Sequence, residues 1–193
     1  MALSRLLTQA TVVIAFAAAA AVADDSRGKI EHSVHPETGI ESWQLRDRGV
    51  EIMLMQIAPD QARGFFLGRG FKRKDVDYYA SNCVFATIVT NRSPTPISYR
   101  LSSWRYAQED GVARKLKLKD DWLREWKQRG VSSSARIAFE WSQHPVEQTL
   151  EPGDWNQGMT TYLVPGSRFD LTVKWKIGKS NYVETIKGIR CAK

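Results

Sequence analysis

The thioethers of Met53 and Met55 stand two residues apart in the apolar run from Gly49 to Ile57, so on a strand they point to one face. Thioether sulfur selects Cu(I), whereas the imidazoles of His32, His35 and His144 suit Cu(II) or zinc. Met159, which follows a turn, completes one candidate metal set, and copper is the cofactor it would take. Core packing is the competing role for Met53 and Met55. His32-x-x-His35 lacks a third ligand at recognisable spacing, and the first expectation is a protein without a cofactor.

A second chemistry is charge. Residues 63–74 pack five basic residues, three Phe and three Gly into twelve positions. Glycines allow close backbone approach, guanidinium groups grip carboxylate or phosphate in a fork, and Phe rings can enter a partner's pocket. Arg63, Phe65, Phe66, Arg69, Lys72, Arg73 and Lys74 are therefore the first candidates for contact with a partner protein or an anionic ligand. The alternative is a lid, with the Phe side chains turned inward and the charges solvated. A third possibility is the loop with Trp155, Asn156 and Gln157, where an indole could stack on a sugar while the amides hydrogen-bond it.

Catalysis finds little support. A nucleophilic hydrolase needs an activated Ser or Cys, a base and an orienting group, and no G-x-S-x-G is present. Phosphate-binding and dinucleotide fingerprints are missing too. Glu151 and Asp154 flank Pro152-Gly153, where an Asp ordinarily stabilises the turn. A non-enzymatic binding protein is the expectation.

Export is read from residues 1–23. Arg5 is followed by an apolar, Ala-rich stretch and a small-residue site, Ala21-Val22-Ala23, before Asp24. That is the pattern of a cleaved signal peptide, and the apolar run is too short to span a bilayer comfortably. The expected location is periplasmic or secreted, with no membrane-spanning segment after cleavage. Cys83 and Cys191 then sit in an oxidising compartment, lack C-x-x-C spacing and are expected to pair. The whole chain carries 28 Lys and Arg against 21 Asp and Glu, a net charge of +7. On an exported protein this favours an envelope protein or an anionic ligand as partner, and not nucleic acid.

The elements that must position these groups follow from periodicity. Asn82 to Asn91 is a short, nearly unbroken apolar run rich in β-branched residues, which predicts a central strand covered on both faces. Arg168 to Ile177 alternates strictly, with Phe169, Leu171, Val173, Trp175 and Ile177 on one face. Further strands are predicted over 40–45, 49–57, 97–101, 137–141, 146–150, 159–164 and 182–191. Two short helical inserts are predicted, one opening at Asp60 and the other carrying Trp122 and Trp126 on one face before Gly130. Residues 24–39 read as a polar N-terminal arm, and 40–193 as one domain. The fold class is all-β: a mainly antiparallel β-sandwich, immunoglobulin-like in architecture, with the two helical inserts.

Overall fold

Strict alternation decides which way the strands face. In β3 (Val50–Ile57) the side chains of Val50, Ile52 and Leu54 are buried, while Glu51, Met53 and Met55 point the other way. The computed structural model, which describes residues 28–164 and 167–193, pairs β3 with β2 (Glu41–Asp47) and β4 (Cys83–Asn91). Adding β1 (Lys29–Val34) and β9 (Trp155–Tyr162) gives an antiparallel sheet of order β1-β2-β3-β4-β9.

The second sheet is built on β10 (Arg168–Ile177). One edge pairs with β11 (Ser180–Arg190); the other pairs with β5 (Ile97–Arg100) and β6 (Arg105–Ala107) placed end to end. β8 (Glu147–Leu150) and β7 (Arg114–Lys115) extend the sheet beyond these two. A 3-10 turn at Leu101–Ser103 separates β5 from β6, and across that gap the Trp104 indole N–H donates to the Lys174 carbonyl at 3.0 Å. The alternating apolar faces of the two sheets close on each other, with Trp43, Leu54 and Phe85 packed against Tyr106, Phe169 and Leu171 in one core. The result is a mostly β, sandwich-like fold.

A helical layer covers part of the first sheet's outer face. α1 (Pro59–Leu67), α2 (Arg73–Ala80), α3 (Lys119–Gln128) and α4 (Ser133–Ser142) enclose Phe66, Phe71, Tyr79, Trp122, Trp126 and Phe139 over Ile57 and Val84. Since Val84 faces the helices while Cys83 and Phe85 face the sandwich core, β4 is covered on both faces at this end. The buried Asp75 carboxylate receives Arg129 Nε at 2.9 Å and ties α2 to the end of α3. Among the described residues no helix is long and apolar enough to cross a membrane.

Two expectations need correction. The two helical inserts are four helices, and the stretch 137–141 lies inside α4 instead of forming a strand. Ser132 caps it, its Oγ accepting the Ala135 N–H at 3.3 Å, and Ala135 and Phe139, four residues apart, share the buried face. Within the expected N-terminal arm, Lys29–Val34 forms an edge strand: its alternation is polar, but its backbone finds β2 and its Glu31 carboxylate pairs with Lys29 and Arg46. The predicted signal segment lies outside the described residues.

Cys83 and Cys191 stand at disulfide distance, with Cα atoms 5.0 Å apart, so the chain just beyond β11 meets the start of β4.

Candidate binding surface

Helix α1 turns its 62–66 face inward, and this sorts the residues of the basic insert. Ala62 and Phe66 are buried, Phe66 to 1% exposure, and Phe71 follows them into the helical core. Phe66 is therefore a core residue, not a contact residue, because helical spacing places it beside Ala62. Arg63 donates to Asp60 at 2.7 Å and to Asp77 at 2.9 Å, so its charge is already satisfied within the protein. Its pKa is raised by those same carboxylates, first through the hydrogen bond it donates to Asp60.

Of the seven predicted residues, Arg69, Lys72, Arg73 and Lys74 are exposed, while Phe65 is half-buried against the helical core. The Arg69 guanidinium lies 3.3 Å above the Phe65 ring and donates to the Phe65 carbonyl, which holds both side chains at the α1–α2 corner. Lys72, Arg73 and Lys74 follow on the exposed side of that corner. Arg73 approaches Asp77 no closer than 3.9 Å, and neither Lys72 nor Lys74 forms an ion pair with any described residue. Such free cations in high dielectric cost little to display and are available to an acidic surface.

Sequence reasoning missed the most exposed large apolar side chain nearby. On α4, Ile137 is 53% exposed and Trp141 85% exposed, both on the face opposite Ala135 and Phe139. Read as a strand, Ile137, Phe139 and Trp141 would all point inward. Read as a helix capped by Ser132, Phe139 points in and its two neighbours point out. The Phe139 ring packs 5.3 Å from that of Phe66 and 6.1 Å from that of Phe71, so α4 is seated directly against the α1–α2 corner.

The first sheet separates the predicted metal ligands. Met53 and Met55 lie on its outer face, in register across β4 with Ile88 and Ala86, and Met159 is the next neighbour of Ala86. On the sandwich side, His32 stacks on Trp43 with ring centroids 4.8 Å apart and bonds Glu41 at 2.6 Å. His35 sits in the β1–β2 turn, accepting the Thr38 N–H at 3.3 Å. His144 is buried between the sheets. The thioethers and imidazoles are not brought together, because period two fixes which residues share a face but not which face is buried. No three His, Cys, Asp or Glu side chains gather to hold an ion among the described residues.

The Trp155 loop divides in the same way. Trp155 and Gln157 project from the outer face, whereas Asn156 turns inward and its Oδ1 accepts the Tyr99 hydroxyl at 2.9 Å. Asp154 stabilises its turn by accepting the Glu151 N–H.

Tyr99 also meets His144 Nε2 at 2.9 Å, making a buried polar cluster where the chain crosses from α4 to β8. The crossing runs so close to β9 that a Cβ on Gly158 would fall 2.3 Å from the His144 backbone nitrogen, which leaves glycine as the residue that fits. Burial lowers the His144 pKa to about 4, opposed by the nearby Thr87 carbonyl. The ring is joined to Tyr99, and among the described residues no carboxylate or Ser hydroxyl bonds to it. A measurable pH dependence follows. The unfolded imidazole titrates near 6.5 and the folded one near 4, so between these values the unfolded chain binds a proton that the folded chain refuses. Stability is expected to fall by up to roughly 3 kcal/mol as pH drops from about 6.5 to 4, with no further loss from this group below that. Urea unfolding across this range, with the His144 ring followed by NMR, checks both terms; a folded-state ring titrating near 6.5 would refute the assignment.

No protein-family model matches the sequence, and no curated protein matches it significantly. The chain is similar in structure to the yjhA protein from Bacillus subtilis, at 10% identity and a TM-score of 0.41, over 76% of this chain and 96% of that one.

Proposed function

We propose that this chain is an exported, non-catalytic protein that uses an immunoglobulin-like sandwich as a frame and docks an acidic partner protein in the cell envelope through its helical layer. The observation that carries the reading is Trp141, 85% exposed on the outward face of α4. Removing a large indole from water is favourable, and Trp and Arg are the side chains most enriched among residues that dominate binding energy. Cations at the adjoining corner, Arg69, Lys72, Arg73 and Lys74, supply the complementary charge. Residues 1–23, with their leader-like pattern, and the cysteine pair at disulfide distance support an oxidising location outside the cytoplasm.

Pull-down from an envelope fraction tests it. Trp141→Ala is expected to weaken capture of the partner by about thirtyfold, corresponding to about 2 kcal/mol. The triple reversal Lys72→Glu, Arg73→Glu, Lys74→Glu is expected to abolish capture at low salt. Retention of the same partners at the same level by both variants would remove the helical layer as the docking surface.

A further inference from the structure

The charge of this protein is not spread evenly over its two sheets. On the outer face of the first sheet, Arg46 is paired with Glu31 and Glu51, and Lys29 with Glu31. The outer face of the second sheet lacks such balance. Lys174 and Lys176 point outward from β10 and form no ion pair among the described residues. Lys176 stands in register between Ser98 and Asn181, and Lys174 beside Val183. One step further along β10, Thr172 is in register with Arg105, itself beside Lys115. Of these cations, Arg100 alone has a carboxylate partner among the described residues, Glu147 at 2.7 Å.

Where β5 gives way to the 3-10 turn, this face is hollowed into a groove of about 490 Å³ whose lining includes Ser98, Arg100, Ser103, Lys174, Lys176 and Asn181, together with the Glu147 carboxylate that pairs with Arg100. The groove lies on the opposite side of the sandwich from the helical layer. We propose that it binds an acidic polysaccharide, a polymer of sugars bearing carboxylates. Three observations select that ligand. Alternate residues on one strand place Lys174 and Lys176 about 7 Å apart along a line, which suits repeated charge on an extended chain better than a single compact anion. Hydroxyl and amide groups of Ser98, Ser103 and Asn181 stand between the cations, as a ligand with neutral hydroxyls beside its carboxylates requires. Val183 is exposed and Tyr182 half-buried in the lining, so the groove presents no row of exposed aromatic rings on which successive nucleic-acid bases would stack.

The test is titration of the purified protein with a short oligogalacturonate at low ionic strength, followed by calorimetry and NMR. Binding is expected to perturb the amides of Ser98, Lys174, Lys176 and Asn181, to weaken as salt is raised, and to fall at least about tenfold in Lys174→Glu, Lys176→Glu. Lys72→Glu, Lys74→Glu, on the opposite side, is expected to bind as the parent does, so failure here is distinguishable from failure at the helical layer. Should the reversed pair fail to fold, Lys174→Gln, Lys176→Gln carries the same expectation with a smaller change in charge. Three results would each overturn the proposal: no binding, equal binding of the uncharged galactan, or equal binding by the charge-altered variants. Attachment to phosphatidylglycerol vesicles without oligogalacturonate binding would overturn it in favour of a lipid surface.

Discussion

Replacing Cys83 and Cys191 together by serine is expected to lower the unfolding free energy by about 4–5 kcal/mol in the chain-entropy account. The two cysteines enclose a segment spanning 108 residues, and closing so long a loop removes much of the freedom of the unfolded chain. Cys83 is buried at the first position of β4, and Cys191 follows the last residue of β11, so the pair joins the two sheets at one end of the core. A domain of this size has a total stability of about 5–15 kcal/mol, so the loss is a large share of the whole. Urea unfolding of the parent with and without reductant, alongside the double serine variant, measures it. Both comparisons are expected to agree, because reduction and replacement release the same loop. A loss below about 1 kcal/mol in each would mean that the sulfurs are not bonded or that residual structure already restrains the unfolded chain.

How far the sequence carried the fold depended on the range over which each decision is made. β10 was legible because alternation between Phe169 and Trp175 is local and unambiguous, and β4 because its apolar run is short and bounded. α4 was not, since Ile137, Phe139 and Trp141 satisfy a period of two while Ala135 and Phe139 satisfy a helical one; the Ser132 cap decided between them. β1 was hidden by its polar side chains, its order being supplied by backbone pairing with β2 and by ion pairs. At the basic corner the composition was informative but the direction of Phe66 was not, until Ala62 defined the buried side of α1. The groove on the second sheet is beyond local reading altogether. Lys174 and Asn181 belong to one hairpin, but Arg100 lies far from them in the chain and meets them only because β5 flanks β10.

Phe139→Ala is expected to cost about 3–5 kcal/mol and to loosen the helical layer before the sandwich. The Phe139 ring lies within 6.2 Å, centroid to centroid, of five others: Phe66, Phe71, Tyr79, Trp122 and Trp126. Trp122 and Trp126 stack at 5.1 Å, and their buried indole N–H groups find no hydrogen-bond partner among the described residues, a desolvation cost that aromatic packing must offset. Removing the central ring leaves a cavity that short helices on separate connections cannot close without moving apart. The sandwich core is a different cluster, meeting the helices across β4, where Val84 faces one side and Phe85 the other. Near-UV signals from Trp122 and Trp126 are therefore expected to be lost at lower urea than the far-UV signal of the sheets, while the parent loses both together. Because the same ring holds α4 against the α1–α2 corner, capture of the acidic partner through Trp141 should weaken in parallel with the near-UV change. Coincident transitions with a stability loss under about 1 kcal/mol would show that the layer is held through the β4 contacts instead, and that Trp141 is presented independently of the packing beneath it.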